Sequence, residues 1–263
     1  VSTSRREERA ADSVFLDLET LDGLDTLPAA RHVALLAAET RFAVCAAEPT
    51  RTHAINVDAP LAIADLAIES WNARVLFFSS IAVHDGSIDQ PSEVLRPEPN
   101  SIYGEQKLAA EDGLLGPGRN VAAFRPSKVV DHGFPLFAGW RDALARVEVV
   151  EPFSDMLVSP VWIGDVADVA ARLMFDTEET GVFQYSAENQ LSYADIASYI
   201  ARGGGYDSAL VQPVKAIDRL DPKTLWLPKS ARLDCRRLSM ATGDVPPRAE
   251  DAIDRFLGNE TRG

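Results

Sequence analysis

The sequence is short of cysteine and histidine and has no long apolar run. Its two cysteines, Cys45 and Cys235, are far apart, and no CxxC or CxH spacing occurs. The four histidines share no common spacing either, so we predict no metal site and expect buried, reduced thiols. No apolar run is long enough to cross a bilayer, and the N-terminal stretch VSTSRREERAADS lacks a signal-peptide core. We therefore expect a cytoplasmic protein without a membrane partner.

Positive charge is also in deficit. Lysine and arginine total 26 against 40 aspartates and glutamates, which gives a formal net charge of -14. Binding to nucleic acid requires a basic surface, so no nucleic-acid partner is expected. A nucleotide-linked small molecule requires only a local basic pocket, and the acidity leaves that class of ligand open.

Short apolar runs alternate with amphipathic stretches in the first half of the chain. The runs are nearly continuous in apolar residues, which is typical of strands buried on both faces of a parallel sheet. We predict strands at 14–18, 32–38, 74–80 and 120–127, with a strand end near 1–3. Helical patterns lie between them, at 52–73 and from Tyr103 onward. This alternation predicts a doubly wound, Rossmann-like α/β fold.

The regular alternation of apolar runs and amphipathic stretches ends after residue 130. The stretch 131–140 resembles a loop, 158–175 a strand or loop that leads into a helix, and 182–187 a short strand. Ser192 is a good N-cap for a helix that ends at the glycines 203–205, and a last helix is predicted at 249–257. The stretch 221–238 is punctuated by proline and is predicted to be irregular. We divide the chain into a main domain, 1–130, and a smaller substrate-facing lobe, 131–263, interleaved with the end of the sheet.

The strongest chemical motif is a YxxxK pair at the start of a predicted helix. The spacing places Tyr103 and Lys107 one turn apart on the same face, where an ammonium group is expected to lower the pKa of the phenol. Such a tyrosine exchanges a proton with a carbonyl or alcohol oxygen. Ser79 and Ser80 end a predicted buried strand, which is where open α/β sheets bind ligands. A serine there can hold a substrate oxygen toward the tyrosine.

Several segments together resemble one family. SSIAVHDG (79–86) and PEPNSIYGEQKLAAED (97–112) resemble the extended short-chain dehydrogenase/reductases, and within them the dTDP-4-dehydrorhamnose reductase type. The segments 36–57, 157–170 and 230–238 agree with the same family. The resemblance covers nearly the whole chain. It implies that Tyr103 is the catalytic acid, that Lys107 holds the ribose and lowers the tyrosine pKa, and that Ser80 orients the carbonyl.

The resemblance also implies that 1–130 is a dinucleotide-binding domain, incomplete at its N-terminus, that 131–263 is a substrate-binding lobe, and where a dinucleotide lies. Asp17 and Leu18 would approach the adenine, and Ala37 and Ala38 would pass over the adenosine side. Asn56 would support the active-site helix.

Two further groups of residues bear on the choice of ligand. Arg5 and Arg6 could meet a 2′-phosphate, because a guanidinium fork matches phosphate, and this favours NADP(H) over NAD(H). Ser79, His84 and Trp162 are assigned to the substrate side. For His84 an ordinary surface position is the alternative, and for Trp162 a place in the core.

The function implied by the resemblance is an NADPH-dependent reductase of a nucleotide-linked 4-keto-6-deoxy sugar. An NAD-dependent nucleotide-sugar epimerase or dehydratase uses the same three residues and stays open. A non-catalytic regulatory or binding subunit on the same scaffold is the alternative from another class. A nucleotide sugar is the expected partner, and a homodimer is left open.

The family's glycine-rich dinucleotide fingerprint, a GxxGxxG after a first strand, does not occur in the sequence. The glycines 203–205 follow a helix, so they do not direct a helix N-terminus at a phosphate. In this topology the first strand is central, and without it two interior sheet edges are expected to lack a partner. Three explanations are open: a fragment of a longer protein, a degenerate relative, or a gap filled by another chain. The first is the one we favour.

Overall fold

The computed structural model describes residues 2–4, 13–220 and 226–258. The strands are β1 Ser2–Ser4, β2 Ser13–Phe15, β3 His32–Leu35, β4 Arg74–Phe78, β5 Val121–Pro126, β6 Lys128–Val130, β7 Leu157–Val158, β8 Pro160–Trp162, β9 Gly181–Tyr185 and β10 Leu191–Ser192. The α-helices are α1 Phe42–Ala47, α2 Pro49–His53, α3 Ala59–Trp71, α4 Ile102–Leu114, α5 Pro135–Ala145, α6 Ile163–Phe175, α7 Tyr193–Gly203, α8 Arg236–Thr242 and α9 Ala249–Leu257.

A parallel sheet of four strands carries the fold, in the order β3–β4–β5–β9. All three pairings are parallel. Helices cover both faces: the side chains of Val75 and Phe77 pack with α3 and α4, whereas Leu76 packs with α6 and α8. Successive residues of a strand point to opposite faces, so one apolar run serves both layers. This is the Rossmann-like, doubly wound α/β fold predicted from the sequence.

The strands β1 and β2 form a separate parallel pair, with Ser2 opposite Ser13. No described strand joins this pair to the edge strand β3. The interruption predicted at the centre of the sheet is therefore present, and both parts of the sheet keep their parallel pairing on either side of it.

The second half of the chain adds two smaller sheets and a helical cluster. β6 pairs with β8 in parallel, and β7 pairs with β10 in antiparallel. Helices α5, α7 and α9 pack against these short strands around Phe137, Ile196, Ile200 and Phe256. β9 returns from this half to the main sheet and pairs with β5, so the two halves of the chain share one sheet.

The prediction of a loop at 131–140 was wrong, because α5 begins at Pro135. Proline suits the first turn of a helix, where its missing N–H has no intrahelical partner. Phe137 and Leu144 are seven residues apart and both buried, which is the spacing of one helix face. The aromatic residues that suggested an irregular segment are core residues of this helix.

The helix predicted at 52–73 is divided. α2 ends at His53, a π-helical turn spans Ala54–Asp58, and α3 begins at Ala59 with Pro60 in its first turn. The backbone stays helical through Asp58 and Ala59, so the π turn shifts the hydrogen-bond ladder without ending the helix, and Pro60 follows where its missing N–H costs least.

Two helices predicted in the second half of the chain were confirmed. The Ser192 hydroxyl accepts a hydrogen bond from the Asp195 amide at 3.0 Å, and the Asp195 carboxylate accepts one from the Ser192 amide at 2.9 Å. These reciprocal bonds form a capping box. The last helix spans Ala249–Leu257, as predicted.

Both cysteines are buried and unpaired. Within residues 2–4, 13–220 and 226–258, no cluster of three or more His, Cys, Asp or Glu side chains could hold a metal ion. In the same residues, no helix has the length and apolar character needed to cross a membrane.

Replacement of Phe137 by alanine tests whether α5 is anchored by its aromatic face. Phe137 is fully buried, so the cavity left by F137A is expected to lower the free energy of unfolding by about 3–5 kcal/mol. The neighbouring Leu136 is 40% exposed, and L136A is expected to cost about 0.5 kcal/mol or less. Urea unfolding of both variants measures the difference. Equal losses would contradict the assignment of the buried face.

Candidate active site

Ser80 and Tyr103 meet at the carboxyl end of β4. The Ser80 hydroxyl accepts a hydrogen bond from the Ala82 amide at 3.1 Å and starts a 3-10 turn over Ile81–Val83. The Ser101 hydroxyl caps α4 by accepting from the Gly104 amide at 3.2 Å, so Tyr103 lies in the first turn of the helix. The Ser80 side chain lies beside the phenol of Tyr103, close enough to lower its pKa.

The start of α4 lies directly on the turn after β4. A Cβ placed on Gly104 would collide with the carbonyl oxygen of Ala82. Only glycine allows this approach, because any side chain would push the first turn of α4 away from the strand. The glycine after Tyr103 is thus a sequence signal for the site, and the YxxxK spacing alone does not reveal it.

Burial dominates the charge states of the pair. Tyr103 is buried, and loss of solvation raises the pKa of its phenol to about 12, although the neighbouring Ser80 side chain acts in the opposite direction. Lys107 is not among the groups that shift the pKa of Tyr103 here, so its effect on the phenol stays a prediction. Loss of solvation also lowers the pKa of Lys107 to about 7, with Glu111 acting against the shift. The phenol is therefore neutral near pH 7, whereas the amine of Lys107 changes its protonation state in that region.

The amine of Lys107 is buried and has little to pair with. Its Nζ lies 4.1 Å from the centroid of the Phe77 ring. It makes no hydrogen bond or ion pair within the described part of the chain. The Oγ of Ser79 is also buried and has no hydrogen-bond partner there. Two polar groups at the end of β4 are thus available to a ligand.

Asn56 ties the helix of Tyr103 to the chain that follows β3. Its Nδ2 donates to Gln106 Oε1 at 2.8 Å and to the Glu39 carbonyl at 3.0 Å, and its Oδ1 accepts from the Glu39 amide at 2.8 Å. Gln106 in turn donates to the Thr52 hydroxyl at 2.9 Å. The sequence suggested a supporting role for Asn56, but Gln106 and Glu39 were missed, because their partners are distant along the chain.

A buried ion pair lies beneath the same helix. Arg125 of β5 donates to Glu111 of α4 through Nε, at 2.9 Å, and through Nη2, and each side chain is 2% exposed. Arg125 Nη1 also donates to Gln184 Oε1 at 3.3 Å, and His84 Nε2 lies 3.2 Å from the same oxygen. Burial and the charge of Arg125 lower the pKa of His84. His84 is therefore a member of an internal network that joins α4, β5 and β9, and the surface alternative was wrong.

The other residues singled out in the sequence lie apart from the phenol and the amine. Asp17 is in the turn after β2 and accepts from the Glu19 amide at 2.8 Å. Leu18 and Ala37 line one cavity, whereas Ala38 is half-buried on the segment after β3.

Trp162 ends β8 and contacts the ring of His132, with the centroids 4.8 Å apart, and it packs against the cluster of α5, α7 and α9. Arg5 and Arg6 lie outside the described residues.

Fold and motif together define a Rossmann-like protein with a serine, a tyrosine and a lysine at the carboxyl ends of its strands. The family model of the RmlD substrate binding domain matches residues 4–262. The chain therefore belongs to this family, as its resemblance to the dTDP-4-dehydrorhamnose reductases indicated.

Known proteins of two kinds are similar to the chain. It is 27% identical over 219 residues to methionine adenosyltransferase 2 subunit beta of Pongo abelii. This alignment covers 77% of this chain and 62% of the relative. It is 26% identical over 233 residues to dTDP-4-dehydrorhamnose reductase of Sinorhizobium fredii, with 84% and 78% covered. The chain thus spans about three fifths of the length of the first of these relatives.

A solved structure shares the fold. The crystal structure of dTDP-4-dehydrorhamnose reductase from Bacillus anthracis in complex with NADP superposes with a TM-score of 0.81 at 19% identity. The match covers 95% of this chain and 90% of that chain.

Replacement of Lys107 by methionine tests the burial of its charge. The pKa of Lys107 is about 7 in the folded protein and 10.5 for an exposed lysine, as in the unfolded chain. Between these two pH values the unfolded chain therefore binds more protons than the folded protein. Folding must bury the charge below pH 7, and this cost disappears as the pH rises toward 10.5. K107M is therefore expected to be more stable than the parent by a few kcal/mol below pH 7, with the gain shrinking between pH 7 and 10.5.

Chemical unfolding at pH 6, 8 and 10 measures this gain. K229M, which removes an exposed lysine, controls for the loss of one positive charge. A gain for K107M that does not change with pH would contradict the assignment.

Removal of Arg125 should be far more costly than removal of a surface arginine. R125M leaves the Glu111 carboxylate buried without its partner, and we expect a loss of about 3–5 kcal/mol in the free energy of unfolding. R96M breaks the exposed pair with Asp112, with an expected loss below about 1 kcal/mol. The double variant R125M/E111L should recover much of the stability in urea unfolding. Similar losses in R125M and R96M would rule out a central role for the buried pair.

Proposed function

We propose that the protein is an NADPH-dependent reductase of a nucleotide-linked 4-keto-6-deoxy sugar. One observation carries the proposal: the hydroxyls of Ser80 and Tyr103 lie side by side at the carboxyl end of β4, and the amine of Lys107, one helical turn away, has no hydrogen-bond partner among the described residues. Membership of the RmlD substrate-binding domain family and the relative in Sinorhizobium fredii support the same class of substrate.

The residues at the end of β4 fit a nicotinamide cofactor. Lys107 has an amine free to bind ribose hydroxyls, and the buried Ser79 Oγ has no partner within the described residues. Leu18 and Ala37 offer apolar surface to the adenosine side, and Asp17 directly precedes Leu18 in the sequence. The cofactor, when bound, supplies a hydride. Selection of NADP(H) over NAD(H) by Arg5 and Arg6 is part of the proposal.

Each hydroxyl has a separate task in the proposed reaction. Ser80 donates a hydrogen bond to the sugar carbonyl and holds its oxygen toward the phenol. Tyr103 transfers its proton to that oxygen as negative charge develops there. Lys107 takes up a proton when a ligand gives it hydrogen-bond acceptors, and its positive charge then stabilises the tyrosinate. Because burial raises the pKa of Tyr103 to about 12, the phenol holds its proton at neutral pH, which suits the direction of reduction.

The buried network positions the helix that carries two of these groups. Glu111 lies four residues after Lys107, and its pairing with Arg125 fixes that turn of α4 against β5. On another side of the helix, Gln106 is bonded to Asn56, and Asn56 is bonded to Glu39 on the segment after β3. Tyr103 and Lys107 are therefore held on a helix with buried anchors on two sides, which is the rigidity that proton transfer over one hydrogen bond requires.

Replacement of Tyr103 by phenylalanine tests the proposed acid. Y103F keeps the ring and its packing but removes the proton, so kcat is expected to fall by about 10²–10⁴-fold while the Kd for NADPH stays the same. The assay follows oxidation of NADPH with dTDP-4-dehydrorhamnose, and nicotinamide fluorescence measures the Kd. Y193F removes a buried hydroxyl from α7, outside the site, and should retain full turnover.

A second function is favoured by the similarity to methionine adenosyltransferase 2 subunit beta. In that case the chain would serve as a subunit of another enzyme and would not need the phenol. Stable, folded protein that neither binds NADPH nor reduces the sugar would support this candidate. Turnover by Y103F equal to that of the parent would reject the reductase mechanism.

A further inference from the structure

Lys128 is a half-buried cation that the proposed reaction does not use. It begins β6, directly beyond the carboxyl end of β5. Its Nζ lies 5.9 Å from the centroid of the Phe134 ring, and the amine makes no hydrogen bond or ion pair with any described residue. A cation that leaves water without a partner is costly, so its position beside an aromatic ring calls for an explanation.

The electrostatic surroundings of Lys128 contain no counter-charge. Burial lowers the pKa of its amine, and no carboxylate of the described chain acts against that shift. At Lys107, by contrast, Glu111 opposes the effect of burial. The protein has a net charge of -14 and therefore many carboxylates, yet none of those described is placed beside Lys128. A ligand with negative charge would provide the missing partner.

The register of the sheet places Lys128 at the same edge as the candidate site. Phe78 of β4 pairs with Phe124 of β5, and the Ser79 amide donates to the Phe124 carbonyl at 2.7 Å. The same register brings Ser80 level with the end of β5, and Lys128 follows just beyond that end. Because parallel strands end at one edge of a sheet, the amine and the Ser80 hydroxyl belong to one ligand-binding edge.

Lys128 faces the second half of the chain. Lys128 and Val130 are alternate residues of β6 and point to one face of it. Val130 pairs with Trp162 of β8, and both pack in the cluster of α5, α7 and α9. Ala37, which offers surface to the adenosine side, follows β3 on the other side of β4. The amine is therefore on the substrate side of Ser80.

The start of α5 adds partial positive charge near the amine. Phe134, whose ring lies beside Nζ, is the N-cap residue of this helix of 11 residues. No described side chain caps the first turn, so its amides keep their hydrogen-bonding capacity. Free amides at a helix N-terminus stabilise negative charge. Lys128 and the start of α5 thus favour the same kind of ligand group.

We propose that Lys128 binds a carboxylate on the sugar ring, which gives the site a second class of ligand, the nucleotide-linked sugar acids. The inference rests on the proposed function, because it takes the 4-oxygen of the sugar to be held by Ser80 and Tyr103. C6 is attached to the ring carbon next to C4, so a carboxylate at C6 lies beside that oxygen. A 6-deoxy sugar has an uncharged methyl group at this place.

A carboxylate fits the amine better than the diphosphate of the same ligand does. The diphosphate is attached at C1, across the ring from C4, whereas Lys128 lies at the edge that carries Ser80. A diphosphate also carries more than one charge and is commonly held by several donors, such as arginine forks. No described arginine or second lysine acts on the pKa of Lys128. A single ammonium group matches the single charge of a carboxylate.

The test compares two sugar nucleotides that differ only at C6. dTDP-glucuronic acid has a carboxylate there and dTDP-glucose has a hydroxymethyl group, and neither has a keto group that the site could reduce. Isothermal titration calorimetry of the 263-residue chain at pH 6.5, with and without saturating NADPH, measures both Kd values. We expect the acid to bind ~10–100-fold more tightly, which is the effect of one charge-assisted hydrogen bond.

Three variants assign the preference to the amine. K128M keeps an apolar side chain but removes the charge, so the two Kd values should become equal. K128R keeps the charge and should retain a preference for the acid. K229M, which removes an exposed lysine, should retain the preference of the parent. Far-UV circular dichroism checks that each variant is folded, and K128Q replaces K128M if the latter is not.

Three results would overturn the proposal: equal Kd values for the two ligands in the parent, a preference in K128M as large as in the parent, and a loss of affinity for both ligands by the same factor in K128M. The last result would place the amine at the diphosphate. Failure of the proposed function looks different, because the parent would then not reduce dTDP-4-dehydrorhamnose, whatever the ratio of the two Kd values. Absence of binding by either ligand would reject nucleotide sugars for both proposals.

Discussion

The contact between the start of α4 and the turn after β4 is the constraint on which the candidate site depends. Gly104 lies against the Ala82 carbonyl, and the Ser80 and Tyr103 hydroxyls meet because no side chain separates these two backbones. The strand supplies the serine and the helix supplies the phenol and the amine. A shift of one element by the width of a methyl group would separate the serine from the phenol.

Two buried polar systems keep that contact in place. The Arg125–Glu111 pair fixes one side of α4 to the sheet, and Asn56 with Gln106 fixes another side to the segment after β3. Buried polar groups specify position because every alternative arrangement leaves some of them without partners. The packing of apolar side chains alone would allow α4 to slide by small steps. The polar systems allow one register.

Local patterns in the sequence were enough to predict the main strands, the capped helices and the meeting of Ser80 with Tyr103. Each of these follows from residues a few positions apart, or from the rule that parallel strands end at one edge of a sheet. The network of Arg125, Glu111, His84 and Gln184 joins four segments. The sequence of any one segment does not indicate which residues of the other segments it contacts. The pKa shifts of Tyr103 and Lys107 were also beyond the sequence, because spacing alone does not tell how deeply a helix face is buried.

The helix α5 illustrates a different limit. Glycine, proline and aromatic residues together suggested an irregular segment, yet Pro135 begins the helix and Phe137 anchors it. Composition describes what a segment can tolerate, and tertiary packing decides what it becomes. The same reasoning applies to β3, whose interior composition contrasts with its exposed position.

The π-helical turn Ala54–Asp58 has a consequence for how this chain can change over evolution. An α-helix rotates by about 100° per residue, and a π turn absorbs one extra residue without a break in the helix. Loss of one residue here would turn Asn56 away from Glu39 and Gln106, or else rotate the buried face of α3 out of the core. Surface loops tolerate insertions and deletions, but this short stretch does not. The fold requires its length more than the identity of most of its residues.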